Sequence, residues 1–316
     1  MALPSSGQLS LDDIRDYIVP IAGVPLFNPI SLSQLATTLA VGFRVSAFYS
    51  YDLVDDVNIY LAALRANAWP TAITSQEETA VYDLFFQLDS YGLYSKIAAF
   101  YPMIGTTANT IKLNAKSSGG VRQSNLDIAF FGGWSFYSNY GAVGNGSNTY
   151  WLVDYTYDTT SITDSHFGIY QSSTSAFGGN AGYDIAVYPL SSGTINYYSP
   201  FAYSNSYYSF GIVFNYSYTD YFITQVNNPA SSIMSYDNAN TRAELQQNGS
   251  YVDAYALSTE TFTNHYVGGG YDYPNAGYTD KGFSFITFGQ YLTTQEMTDY
   301  QYIINSFQGA LGRNIY

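Results

Sequence analysis

Cleaving a glycosidic bond takes two carboxylates at a fixed separation, one as acid and one as base or nucleophile. In sandwich hydrolases the pair comes from one strand, as Glu-x-Asp-x-x-Glu or a near variant. The glutamates here are Glu77, Glu78, Glu244, Glu260 and Glu296, and none has that spacing. A hydrolase built on an aspartate pair stays open as an alternative. Two histidines are present, His166 and His265. Asp164-Ser165-His166 contains the residue types of a Ser-His-Asp triad, but no Gly-x-Ser-x-Gly elbow accompanies it. Each histidine therefore reads as a strand or loop residue. Cysteine is absent, which excludes thiol catalysis, thiolate-held metal and disulfides. Asp154, Asp158, Asp164 and Asp184 are oxygen donors of the kind that hold Ca²⁺ in loops, without EF-hand spacing. Whether a metal binds stays open, no cofactor is expected, and the chain is expected not to be an enzyme.

The feature that points to binding is Gly268-Gly269-Gly270-Tyr271-Asp272-Tyr273-Pro274-Asn275-Ala276-Gly277-Tyr278. It is a glycine-rich loop that presents three tyrosines and an aspartate. Aromatic faces stack on the CH faces of sugars, and a carboxylate accepts hydrogen bonds from their hydroxyls. Tyr271, Asp272, Tyr273 and Tyr278 are the candidate glycan-binding residues; the competing reading is an inter-strand loop with the chain's general tyrosine richness. Asn145-Gly146-Ser147 and Asn248-Gly249-Ser250 match the glycosylation sequon, but Asn-Gly is also a favoured hairpin turn, and the turn is preferred.

Composition narrows the partners. The 316 residues carry 10 Lys or Arg against 24 Asp or Glu, a formal charge of −14, yet only 11% are charged, against about 25% in an average soluble protein. This balance argues against nucleic acid or an anionic membrane, both of which are gripped by Lys and Arg. Aromatics reach 18%, with 35 Tyr and 20 Phe, so the chain has the means to fold. A surface rich in Tyr, Ser, Asn and Thr suits glycan contact or subunit packing, or is simply a β-rich exterior. The stretch 17–27 is interrupted by Pro20 and Pro25 and is too short to span a bilayer. The opening Met1-Ala2-Leu3-Pro4 lacks the basic start and apolar run of a signal peptide. If the protein works outside a cell, it is expected to leave by another route, of which export inside a particle released by lysis is one.

The elements that must position any site divide in three. Helical signals dominate the front: Ser10 as N-cap to 11–18, a helix over 55–68 stopped by Pro70, and Ser75-Gln76-Glu77-Glu78 with capping-box spacing. Val81, Leu84, Phe85 and Leu88 follow at helical spacing up to Gly92. From about Ile111, short aromatic and β-branched runs alternate with Gly/Ser/Asn clusters: 126–137, 149–157, 167–171, 183–188, 209–218, 251–256 and 283–288. The run 283–288 is apolar on both faces and reads as a central strand. Thr293-Thr294-Gln295-Glu296 then opens a last helix whose stripe is Met297, Tyr300, Ile304, Phe307 and Leu311, with Gly312 to end it. Many short strands without intervening helices predict a mainly β, two-sheet sandwich or jelly roll, with helices at its N-terminal and C-terminal ends.

Several stretches, in order, resemble a family of tailed-bacteriophage virion structural or fibre proteins. Leu3-Pro4-Ser5-Ser6-Gly7-Gln8-Leu9-Ser10-Leu11-Asp12-Asp13-Ile14-Arg15 is similar to that family's Pro-Ser-Ser-Gly-x-Ile-Ser-Leu-x-x-Ile-Arg start. Tyr91-Gly92-Leu93-Tyr94-Ser95-Lys96 and Tyr101-Pro102-Met103-Ile104-Gly105 resemble its Tyr-Gly-Leu-Trp-x-Lys and Tyr-Pro-x-x-Gly elements. Thr110-Ile111-Lys112-Leu113-Asn114-Ala115-Lys116, Gly132-Gly133-Trp134 and Asn145-Gly146-Ser147-Asn148-Thr149-Tyr150 follow in the expected places. Phe307-Gln308-Gly309-Ala310-Leu311-Gly312-Arg313 matches the terminus. The stretch 171–264 matches nothing in the pattern and is where recognition would diversify.

The resemblance implies a concanavalin-like jelly roll at 111–316, a helical connector at 55–110 and a virion-attachment segment at 1–54. It implies other virion proteins as partners, a homotrimer by analogy, and a head or tail fibre or decoration role with host-surface polysaccharide as a possible ligand. It places Trp134 in the core and carries over no catalytic residue. A polysaccharide depolymerase and a purely structural component with no ligand are the alternatives. The expected location is the virion, assembled in the host cytoplasm.

Overall fold

The computed structural model describes residues 51–157, 164–173, 186–189, 203–204, 208–212, 221–223, 231–237, 242–256, 265–269 and 282–314. Helix α1 (Tyr51–Asn67) and helix α2 (Ser75–Ser90) are followed by β1 (Ile97–Tyr101) and the one-turn helix α3 (Ala108–Ile111). Next come β2 (Ser117–Ser118), β3 (Val121–Arg122), β4 (Ala129–Phe131), β5 (Ser135–Tyr137), β6 (Gly141–Val143), β7 (Tyr150–Tyr157) and β8 (Asp164–Ser173). β9 (Ala186–Pro189), β10 (Tyr203–Ser204), β11 (Tyr208–Ile212), β12 (Tyr221–Ile223), β13 (Ser231–Asp237) and β14 (Arg242–Gln247) follow. The chain continues through β15 (Ser250–Ala256), β16 (His265–Gly269) and β17 (Gly282–Gln290) to helix α4 (Thr294–Ala310). The described strands all lie within residues 56–316, which group as one compact unit.

Two antiparallel sheets make the sandwich. The larger runs β15-β14-β13-β8-β17-β6-β5, with β1 also paired to β17; the smaller runs β4-β7-β16-β9. Between them lies a core that takes Phe167, Ile169, Met234, Leu245, Phe283, Ile286 and Phe288 from the large sheet and Trp151 and Val153 from the small one. Tyr155 reaches across to Phe288, with ring centroids 5.0 Å apart. The chain therefore adopts the expected mainly β, jelly-roll-like sandwich with helices before and after it.

The other face of the large sheet is covered as well. α4 packs on β13, β14 and α2. It buries Met297, Tyr300, Ile303, Ile304 and Phe307, which places the expected stripe in the interior except for Leu311, a half-buried C-cap beyond the helix. β17 shows why both of its faces had to be apolar: eight of its nine residues are buried. Its register against β8 slips between Phe283 and Phe285. That bulge leaves Phe283, Ile286 and Phe288 in the sandwich core and turns Phe285 toward Tyr300 and Phe307 of α4.

Local chemistry sets the boundaries. α4 starts at Thr293, whose Oγ1 accepts from the Glu296 N–H while the Glu296 carboxylate accepts from the Thr293 N–H at 2.8 Å, the expected capping box. The box of α2 lies one residue earlier than its sequence indicated, at Thr74 and Glu77, because Thr74 holds the extended conformation an N-cap needs. Asn248-Gly249 makes the predicted hairpin turn: both residues have positive φ, 50° and 75°, as a two-residue loop of this twist demands. Asn145 also makes a turn, accepting at Oδ1 from the Ser147 and Asn148 N–H groups. That turn links strands of different sheets and is not a hairpin.

Three readings are corrected. The run 126–137 is two strands of different sheets, β4 in the small one and β5 in the large one. The chain turns between them at Gly132, where φ is +86° and a Cβ would sit 2.0 Å from the Asn148 carbonyl oxygen. The stretch 55–110 contains a strand besides its helices: β1 pairs with β17 and contributes Ala99 and Tyr101 to the core. β13 and β14, absent from the predicted runs, hold the centre of one half of the large sheet.

Candidate ligand-binding surface

The small sheet has one face in the core and one turned outward. β4 pairs with β7 so that Ala129 faces Leu152, Phe130 faces Trp151 and Phe131 faces Tyr150. Alternation sends Phe130, Trp151, Val153 and Tyr155 inward and leaves Ala129, Phe131, Tyr150, Leu152 and Asp154 on the outward side. There Phe131 and Tyr150, directly opposed, stack with centroids 4.6 Å apart and planes 6° from parallel. Phe131 remains 39% exposed, and Asp154, further along β7 on the same side, is exposed. Stacking covers the inner faces of the two rings, but the outer face of the exposed Phe131 can press against the CH face of a sugar ring while the carboxylate accepts from its hydroxyls.

The platform is fixed from beneath. Trp134 packs on Phe130 (5.2 Å) and Phe283 (6.2 Å). Its Nε1–H donates to the carbonyls of Phe131 (2.9 Å) and Tyr150 (3.2 Å). One indole thus ties together the backbones of the two stacked residues. Trp134 lies against the core, as the sequence pattern placed it. Trp134→Phe keeps most of the packing and removes the shared donor. We expect a stability loss of about 1–2 kcal/mol by urea titration, with altered near-ultraviolet dichroism from the Phe131–Tyr150 pair; an unchanged spectrum would contradict this role.

Tyr271, Asp272, Tyr273 and Tyr278 lie outside the described residues. The strands that flank their loop are β16 and β17. β16 ends at Gly269, opposite Trp151, the neighbour of Tyr150. The chain therefore enters that loop at the end of the sheet that carries the aromatic pair. Asp158 and Asp184 also lie outside the described residues, and Asp164 is an exposed strand-start residue. Among the described residues no group of three His, Cys, Asp or Glu could hold a metal ion. No helix among them is long and apolar enough to cross a membrane.

The buried ionisable groups serve the fold. His166 is fully buried in β8. Its Nδ1–H donates to the Gln290 carbonyl at 2.5 Å, and burial pushes its pKa down to about 4. His265 is a backbone position in β16, paired with Tyr157 and Pro189. Lys116 lies 3.3 Å over the Tyr94 ring and donates to the Tyr94 carbonyl at 2.6 Å. Burial lowers its pKa to about 8 against the pull of Asp56 and Asp89. Arg313, in the matched terminal motif, is buried just past α4 and donates to the carbonyls of Ser138 (2.5 Å) and Met103 (3.1 Å).

The pairing of Phe131 with Tyr150 was invisible in sequence. Each fell within an aromatic run, and only the register across the Gly132–Asn148 crossing brings them face to face. No protein-family profile matches the chain, and no curated protein matches it significantly in sequence. Solved structures similar to it include domain 4 of AbnA, a GH43 extracellular arabinanase from Geobacillus stearothermophilus, at 11% identity and TM-score 0.45 over 65% of this chain and 97% of that one. The botulinum neurotoxin serotype D binding domain is similar at 9% identity and TM-score 0.47, covering 66% of this chain and 52% of that one. A Trypanosoma rangeli sialidase is similar at 7% identity and TM-score 0.46, covering 79% of this chain and 38% of that one. At these identities and scores the likeness bears on neither activity nor ligand.

Proposed function

We propose that the chain is a tailed-bacteriophage virion protein, a fibre or decoration component of the head or tail, whose sandwich binds host-surface glycan without cleaving it. The observation that carries the binding reading is the parallel Phe131–Tyr150 stack, with Phe131 exposed and Tyr150 half-buried, held in place by Trp134. The virion reading rests on the ordered motifs from Leu3 to Arg313, and a homotrimer follows by analogy with fibres. In this reading the loop bearing Tyr271, Asp272, Tyr273 and Tyr278 adds contacts beside the stack. The five glutamates supply no hydrolase spacing, and among the described residues Glu77 and Glu296 are committed to helix caps.

Binding is tested by immobilised host-surface polysaccharide and the double variant Phe131→Ser/Tyr150→Ser. Both rings face outward, so the thermal midpoint should change little while affinity drops at least about tenfold, the loss of roughly 1.4 kcal/mol of contact. Full affinity in the double variant would rule this surface out. Reducing sugar released from the polysaccharide would overturn the non-enzymatic part. Quantitative mass spectrometry of purified particles tests the rest: copy numbers in multiples of three are expected, and absence from particles would end the virion reading.

A further inference from the structure

We infer that the glycan taken by the Phe131–Tyr150 face is uncharged, with carboxylate- and sulfate-bearing polysaccharides excluded; this rests on the binding reading above. The first observation is the charge of the outward side itself. Among the outward residues of β4 and β7 (Ala129, Phe131, Tyr150, Leu152 and Asp154) the one acidic or basic residue is the exposed Asp154. The second is the chain around it. Residues 123–281, which supply both strands of the platform and the loop beyond β16, contain twelve Asp or Glu against two Lys or Arg, Arg242 and Lys281. Arg242 opens β14, in the other sheet.

Recognition of a carboxylate or sulfate on a sugar uses a cation, most often the paired donors of arginine. The nearest cation in sequence before β4, Arg122, is held in an ion pair by both carboxylate oxygens of Asp127. Among the described outward residues of β4 and β7, an anionic glycan would meet no compensating charge. It would approach a surface whose negative field extends about 8 Å into physiological buffer. A neutral ring meets none of these penalties: its CH face lies on the aromatics, and its hydroxyls can donate to Asp154. The acidic composition thus acts as a filter on ligand class.

The test uses the full chain on an array of neutral polysaccharides (dextran, galactan, mannan) and anionic ones (polysialic acid, alginate, heparin) at 50 and 500 mM NaCl. Phe131→Ser and Asp154→Asn are run in parallel. Retention confined to neutral glycans, lost in Phe131→Ser and nearly independent of salt, is the expected result. Any anionic polymer should be weaker by at least about tenfold at low salt, with the gap narrowing at high salt as screening shortens the repulsion. In Asp154→Asn the gap should also narrow. Anionic retention that is lost in Phe131→Ser would overturn this inference and leave the glycan-binding reading standing. No retention of any glycan, or retention indifferent to Phe131, would overturn both.

Discussion

Phe285→Ala is expected to lower the unfolding free energy by about 3–5 kcal/mol, the range for emptying a fully buried aromatic site. Phe285 is fully buried and sits where the layers meet. Its ring centroid lies 5.9 Å from Phe307 and 6.4 Å from Tyr300 of α4, and 6.2 Å from Phe100 of β1. Removing it undercuts the helix that covers the large sheet and the strand that abuts β17. Its neighbours Phe100, Tyr300 and Phe307 are themselves buried in the packed elements β1 and α4, so the cavity has little means to collapse. Urea unfolding followed by fluorescence measures the loss. Tyr302→Ala is the control: that residue is on the same helix but 64% exposed, and its removal should cost no more than about 0.5 kcal/mol. Equal losses in the two variants would contradict the layered packing.

The second large effect is on acid stability. His166 has a folded pKa of about 4, lowered by burial from the ordinary 6.5. The unfolded chain therefore binds a proton on this ring between those values while the folded chain does not. Stability contributed by the neutral ring is fully present above pH 6.5 and falls as the pH drops toward 4. The whole loss is about 3 kcal/mol, since each pH unit separating the folded and unfolded values contributes roughly 1.4 kcal/mol. Glu296, close enough to act on His166, adds in the same direction at lower pH. Burial pulls its carboxyl upward, but Lys96 Nζ at 2.6 Å and the Thr293 bonds outweigh that and hold it below the ordinary value. His166→Gln keeps a donor for the Gln290 carbonyl and removes the titration. Denaturation midpoints of wild type and variant at pH 7.5, 5.5 and 4.0 should converge as the pH falls; a constant gap would show that His166 is not the titrating group.

Sequence conveyed the sandwich where pattern and local chemistry agreed. Phe283 to Phe288 announced a strand buried on both sides, Thr293 with Glu296 announced a helix start, and Asn248-Gly249 announced a hairpin. It failed where burial is polar. In β14 the side chains of Glu244 and Gln246 are buried and meet α4: Thr294 Oγ1 donates to Glu244 at 2.5 Å, and Gln246 Nε2 donates to the Thr294 carbonyl at 2.8 Å. β13 is similar, with Ser231, Ser232 and Ser235 all buried and the Ser235 hydroxyl accepting from the Leu292 N–H at 2.8 Å. A strand whose second face is serine and glutamine shows no apolar alternation, so the pattern that exposes β17 hides β13 and β14. The candidate surface was legible only as an excess of tyrosine. The stack itself depends on how β4 and β7 register, and that is set by a turn of glycines and asparagines rather than by the rings.

The position of β17 has a consequence for how the polypeptide is made. The strand lies between β8 on one side and β1 and β6 on the other, yet among the described residues it is the last strand along the chain. Thr287 donates to the carbonyl of Ala99, 188 residues earlier. At ribosomal speeds of about 5–20 residues per second, β1 waits roughly ten to forty seconds for that partner. During that interval β1, β6 and β8 present unpaired edges of the kind that associate between molecules. A nascent chain stalled or cleaved before residue 282 lacks the strand that joins the halves of the large sheet. Its products are expected to be substrates for chaperones and proteases rather than smaller folded domains.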